Sequence, residues 1–255
     1  MLQPATRRRP MIRRRRSGHD VRPTPTGSNR HEAVLARNRL LLLLTLSSGS
    51  IDAICYLALG KVFTAFMTGN FVFLGLRIAG TAGPHLVSVL VALGAFGGGV
   101  HVANRFLRPI RWPEVWTERV TGVLGLSLVA HAVFLALWLA VGGRPSYPTT
   151  VVLLGTSALA MGFQTAGVFS LGLQGVFTTA ATATFTVLSG DTAHWAATQP
   201  ERRRLAALLI ALTAGAVAGG LLVTHTRPYA PILPLAASSL VVLAAGLRFG
   251  RVRAR

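Results

Sequence analysis

Cysteine is all but missing from this chain. Cys55 stands alone among 255 residues, which excludes an internal disulfide and a metal site built from several thiolates. It sits in an apolar run, where packing is its expected role. Acidic residues are scarce as well: seven Asp and Glu face 26 Lys and Arg, and 13% of the residues are charged, against roughly 25% in an ordinary soluble domain. A soluble fold of this length needs more polar surface than that. Three signatures of chemistry are also missing. The chain has no His-Glu-x-x-His, no phosphate-cradling glycine loop ending in Lys-Ser/Thr, and no Gly-x-Ser-x-Gly elbow. We expect no enzyme activity, no cofactor and no metal.

What the chain does have is long apolar runs. Just over half of it, 51%, is hydrophobic, and the mean hydropathy is +0.53. Eight apolar segments follow one another: 39–60, 61–80, 85–107, 120–143, 149–172, 175–190, 205–225 and 232–247. Most are about 20 residues long, the length of a helix crossing roughly 30 Å of hydrocarbon. The second is interrupted at its middle by Thr68, Gly69 and Asn70, and the sixth is irregular and threonine-rich. The loop 108–119 carries Trp112 and Trp116 and suits a membrane interface.

The net charge of +19 invites a nucleic-acid reading, but the placement of the charge argues against it. Eleven of the 26 basic residues lie in the first 39 positions, and most others lie between apolar segments. Arginine gathers in this way on the cytoplasmic side of membrane proteins. Residues 1–36 are expected to be a disordered cytoplasmic arm attracted to anionic lipid; translation starting at Met11 or later is the other account of that arm. No cleavable signal peptide is evident. Six full spans with two broken or re-entrant segments place 11 of the remaining basic residues inside and 4 outside, whereas eight spans give 9 and 6. Six spans are therefore favoured, with eight as the alternative.

A repeat organises the segments. Under a shift of 114 residues, Val62, Phe63 and Thr64 meet Val176, Phe177 and Thr178, while Thr68, Phe71 and Leu74 meet Thr182, Phe185 and Leu188. The fold expected is an all-α polytopic membrane protein with two four-segment repeats, 37–143 and 149–247, and a basic tail at 248–255. With three full spans in each half, the repeats would be inverted, a common transporter design.

The residues then resemble a family. Gly49, Asp52 and Ala53, followed by Phe63, Thr64, Met67, Thr68, Gly69 and Asn70, are similar to the signature of the YoaK family, bacterial multi-pass membrane proteins grouped as a domain of unknown function. Gly162 and Gln164, followed by Thr178, Thr179 and Thr182, match its second half, and Ala183 departs from it where a glycine is expected. The resemblance covers about residues 40–247. It implies a membrane location, here the bacterial inner membrane with both termini cytoplasmic, and no established activity.

Asp52 is the only acidic residue inside a predicted span, and a lone carboxylate there is unfavourable by roughly 3 kcal/mol unless it is paired or hydrated. Two readings stand side by side: a proton- or cation-responsive site, or a residue holding backbone amides across a helix break. Thr68, Gly69 and Asn70 read either as an unwound turn lining a site or as close helix packing. Gln164, Thr178 and Thr182 are the matching features of the second half. Asp52 with Asn70, and Gln164 with Thr182, would then face a shared cavity. His101 and His131 are expected to be paired polar groups. The leading reading is a small-solute secondary transporter or permease coupled to a proton or cation. The alternative is a non-transporting scaffold, marked by Asp52 and Gln164 bonding to each other or to backbone. Oligomeric state stays open.

The span count has a direct check. In a Cys55→Ala background, we expect Arg77→Cys to react with a membrane-impermeant maleimide on intact cells, and Arg111→Cys to react only after permeabilisation. Eight spans require the reverse.

Overall fold

The computed structural model describes residues 27–107, 116–172, 181–189 and 198–249. Among these there are eight α-helices and no strand: α1 Gly27–Ala58, α2 Met67–Ile78, α3 Leu86–Leu107, α4 Glu118–Ala140, α5 Tyr147–Phe169, α6 Ala181–Ser189, α7 Gln199–His225 and α8 Ile232–Phe249, with a 3-10 turn at Arg227–Tyr229. Six of them (α1, α3, α4, α5, α7 and α8, the last counted with the turn before it) are long and apolar enough to cross a membrane. With 12 and 9 residues, α2 and α6 extend about 18 and 14 Å, well short of the ~30 Å required. The protein is thus an all-helical multi-pass membrane protein with six candidate spans. Large apolar side chains on the outer faces, such as Phe71, Ile78, Val129, Ile210 and Leu243, are exposed and suit lipid.

Helix boundaries follow local chemistry. The end of α1 is set by Gly60, at φ 89°, with the Lys61 amide reaching back to the Tyr56 carbonyl at 3.1 Å. This is the left-handed C-terminal cap that glycine adopts without strain. The α7 helix opens six residues before the apolar run that starts at Leu205. There Pro200 lies in the first turn, and Thr198 and Glu201 form a capping box. The Thr117 side chain caps α4 by accepting from the Val120 amide.

Three boundaries differ from the sequence reading. Residues 27–36, expected in a disordered arm, are the first turns of α1. The interruption of the second segment falls at 59–66, while Thr68, Gly69 and Asn70 are already in the first turn of α2. The sixth segment is helical from Ala181; Thr178 and the rest of 173–180 lie outside the described residues. So do residues 1–26, the loop 108–115 and the tail beyond Phe249.

Helix packing is set by glycines. A Cβ on Gly49 would collide with the Leu212 carbonyl and press on the Ala216 amide of α7, and one on Gly162 would collide with the Phe96 carbonyl and press on the Val100 amide of α3. A Cβ on Gly215 would strike the Leu46 carbonyl of α1, and one on Gly99 the Leu159 carbonyl of α5. These contacts are reciprocal. Gly162 and Leu159 each follow Gly49 and Leu46 by 113 positions, while Leu212, Gly215 and Ala216 each follow Phe96, Gly99 and Val100 by 116. In both pairs, α1 with α7 and α3 with α5, position numbers rise together along the contact, so the two helices run parallel. The α1 and α5 helices also touch, and α8 packs on both α1 and α4. Antiparallel to α1, α8 brings Ser238 to Ser47 (3.4 Å) and Arg248 to Glu32 (3.4 Å).

We expect Gly215→Ala and Gly49→Ala each to lower stability by about 2 kcal/mol, as overpacking against rigid backbone does. Gly97→Ala, where a Cβ meets nothing within 4 Å, should stay within about 1 kcal/mol of the parent. Thermal unfolding in detergent would separate the two classes.

Candidate functional site

An irregular segment among membrane-spanning helices must satisfy its own peptide groups, because hydrocarbon offers no partners. Between α1 and α2 this falls to two side chains. The Asp52 Oδ1 accepts from the backbone N–H of Thr64 (2.7 Å) and of Ala65 (2.8 Å), and Oδ2 accepts from the N–H of Phe66 (3.0 Å). The Thr64 hydroxyl adds a longer contact to Oδ1 at 3.4 Å. From the other side Asn70 holds both peptide groups of Phe63: its Oδ1 accepts from the N–H (3.1 Å) and its Nδ2 donates to the carbonyl (2.6 Å). Asp52 is six residues from the end of α1 and Asn70 is in the first turn of α2, so residues 63–66 are clamped between two helix ends.

The clamp suits an anion. Successive amides just ahead of a helix N-terminus form a positive concavity, and α2 begins at Met67. The Asp52 carboxylate fills it and is only half-buried, whereas Asn70 is fully buried. Gly69 allows the aromatic rings of Phe66 and Phe63 to close over the turn, since a Cβ there would lie 2.8 Å from the Phe66 ring. Phe63 also stacks on Tyr56 and Phe73 (centroids 5.0 and 6.0 Å apart).

A buried polar relay leads from the clamp to α5. The Ser157 hydroxyl donates to Thr64 Oγ1 (3.0 Å), and Cys55 Sγ lies 3.7 Å from both oxygens. The expected packing role of Cys55 is therefore joined by weak hydrogen bonds. The sequence does not single out Ser157. Its signal was only a hydroxyl within an apolar span, which is common and unspecific.

The predicted site residues do not all meet. Asp52 and Asn70 are brought together on one turn. Gly69 belongs to the same turn, but Thr68 is exposed. Gln164 lies apart, fully buried, with Nε2 donating to the Leu44 carbonyl at 3.1 Å. Thr182 is exposed on α6, where its carbonyl accepts from Thr186, and no hydrogen bond joins it to Gln164. The expected pairing of His101 with His131 does not occur. His101 is exposed, while His131 is buried with Nδ1 3.0 Å from the Ser127 carbonyl. Among the described residues no group of three His, Cys, Asp or Glu is placed to hold a metal ion.

Similarity to known proteins agrees with a membrane location. The model of the family described as protein of unknown function (DUF1275) matches residues 40–245, and the chain belongs to that family. It is 36% identical over 159 residues to the UPF0700 transmembrane protein YoaK of Bacillus subtilis (strain 168), across 62% of this chain and 68% of the relative. No solved structure matches.

Hydrogen exchange tests the clamp. Hydrogen bonds to a charged group are worth about 1.5–3 kcal/mol each. Asp52→Asn also turns an N–H₂ toward amide donors, so we expect exchange of the 64–66 amides to quicken by about 100-fold, equivalent to ~3 kcal/mol. Thr64→Val should quicken it by about 5-fold, near 1 kcal/mol. Unchanged exchange in Asp52→Asn would show that the carboxylate does not hold the turn.

Proposed function

We propose that this chain is a small-solute secondary transporter or permease of a bacterial inner membrane, built as two inverted repeats of three spans each. The observation carrying the reading is the reciprocal glycine packing: α1 meets α7 as α5 meets α3, at constant offsets of 113 and 116 residues. Three spans per half reverse the second half relative to the first, and the parallel pairs α1/α7 and α3/α5 agree with that. In this reading both termini are cytoplasmic, and the basic arm lies along anionic lipid. The re-entrant segment 59–66 enters from the opposite face and is closed by Asp52. Solute passes between the halves, and release of the Asp52 clamp is the step coupled to a proton or cation.

One observation favours a second reading, a non-transporting membrane scaffold. Asp52 and Gln164 both bond to backbone, the former to amides 64–66 and the latter to the Leu44 carbonyl. A rigid interior of this kind serves an assembly partner as well as a transporter at rest.

Proteoliposomes separate the two. With a panel of radiolabelled small polar solutes, we expect at least one to enter faster than into protein-free vesicles, and Asp52→Asn to slow that entry at least tenfold. A folded protein that moves no solute in the panel would favour the scaffold. Flux through Asp52→Asn equal to the parent at every pH would end the coupling role.

A further inference from the structure

One end of the bundle carries no acid. The α1, α4 and α7 helices finish there and α3, α5 and α8 begin. Trp138 Nε1 donates to the Arg227 carbonyl (3.0 Å), Leu57 approaches Gly220, and the His85 ring lies against Tyr147 (centroids 4.8 Å apart). The segments at that end, 59–85, 141–146 and 226–231, contain Lys61, Arg77, Arg144 and Arg227 and not one Asp or Glu. Two of these cations hold loops. Arg77 Nη1 donates to the Thr81 carbonyl (3.0 Å) just past α2, and Arg227 Nε donates to the Gly143 carbonyl (2.8 Å), tying the turn before α8 to the end of α4. Lys61 is different. It is the chain's single lysine, it is exposed, and among the described residues its ammonium has no ion pair or hydrogen bond. Its backbone takes φ 61°, the left-handed region that is unfavourable for a residue with a Cβ.

The amides held by Asp52 begin three residues after Lys61. Asp52 is six residues from the end of α1, ~9 Å along the helix, so this nest of N–H groups lies near the acid-free end. The two carboxylate oxygens differ in setting. Oδ1 is the inner one, bonded to the amides of buried Thr64 and Ala65, while Oδ2 is bonded to the amide of Phe66, which is 37% exposed. Three N–H groups thus converge on a carboxylate at the N-terminal end of a 12-residue helix, and the nest has an open edge at Phe66. Backbone amides read a carboxylate and nothing else of the residue that bears it. Asp52 itself shows what the nest binds, and another carboxylate that reaches the nest with Asp52 withdrawn meets the same three donors.

We propose that the amides of Thr64, Ala65 and Phe66 are the binding site for the carboxylate of a small anionic solute, with Asp52 as a tethered occupant that the solute displaces and Lys61 as the counter-charge at the open edge. The solute class rests on the transport reading; the binding site does not. Release of Asp52 alone leaves three amides bare where hydrocarbon offers no acceptor. Exchange of one carboxylate for another keeps them satisfied. A proton or cation that neutralises the departing Asp52 also keeps the local charge unchanged, which couples the solute's entry to that ion. The acid-free end raises the local concentration of anions, and lysine carries a compact charge on a flexible stem that can follow a carboxylate inward.

Amide chemical shifts test it on the isotope-labelled full-length protein in detergent micelles. Sodium formate, the smallest carboxylate, is the probe. Formamide is its neutral counterpart, and sodium chloride at equal ionic strength controls for charge alone. We expect formate to move the amide signals of Thr64, Ala65 and Phe66 saturably in the parent, and formamide and chloride to leave them in place. In Asp52→Ser the half-saturating formate concentration should fall about tenfold, because a tethered competitor is gone. In Lys61→Gln it should rise about threefold, the loss of one exposed charge. If Asp52→Ser does not fold, the parent and Lys61→Gln decide the matter. Signals that ignore formate in the parent, an equal response to formamide, or the same half-saturation with and without Asp52 would overturn the site. Vesicle flux by a protein that ignores formate would remove this site and leave the transport reading intact; saturable formate shifts in a protein that moves no solute would keep the site and remove the transport reading.

Discussion

The Asp52 carboxylate, with three peptide N–H groups on it, is the contact on which the first half of the molecule depends. A chain leaving a helix inside a membrane bundle exposes peptide groups that nothing in hydrocarbon can satisfy. One carboxylate takes the amides of Thr64, Ala65 and Phe66, and Asn70 takes both groups of Phe63. With those groups satisfied, the chain can turn at Gly60, run six residues outside a helix and re-enter as α2. The same turn carries Thr64 against Ser157 and so fixes the segment to α5. The burial penalty of the carboxylate and the exposure penalty of the amides offset each other, and neither group would be tolerable there alone.

Glycine sets the second constraint. The pairs α1/α7 and α3/α5 approach until the backbone of one helix fills the place of a side chain on the other. Lipid tails are as apolar as leucine, so helix association in a membrane relies on such close contact rather than on hydrophobic exclusion. The open glycines Gly94, Gly97 and Gly98, where a Cβ meets nothing within 4 Å, show that composition alone does not identify the contact: Gly99, their neighbour, makes it.

Much of this was legible in the sequence. Apolar length and arginine placement pointed to six spans, because 20-residue runs and charge asymmetry are properties of the chain itself. The motif residues Gly49, Asp52, Asn70 and Gln164 were singled out by residue type, and each turned out to carry a specific contact. Their partners were not legible. Asp52 bonds amides, which every residue but proline possesses, and Gln164 bonds the carbonyl of Leu44, whose side chain gives no sign of it. Polar residues mark the helix break at Thr68–Asn70 in the sequence, whereas the break itself runs from Leu59 to Phe66, where Lys61 and Thr64 interrupt an otherwise apolar stretch held by Asp52 and Asn70 on either side. Residue type alone pairs His101 with His131, but helix orientation separates them, leaving the first exposed and the second buried.

Packing also corrects the register of the proposed repeat. The second and sixth segments align at a shift of 114, which sets Asp52 opposite Ala166. The glycine contacts of α1 and α5 place those two helices at 113, which sets Asp52 opposite Thr165. The Thr165 hydroxyl is buried without a partner in this structure, at the position corresponding to the one from which Asp52 reaches its turn. A hydroxyl carries no charge and accepts at most two hydrogen bonds, so it cannot hold three amides as the carboxylate does. Under the proposed repeat, the residue at the position of Asp52 is therefore one that could not do the same work. Charge-assisted hydrogen bonds are about twice as strong as neutral ones. Under the proposed two-fold design, the chemical difference at this position is one charged acceptor, Asp52, against one neutral hydroxyl, Thr165.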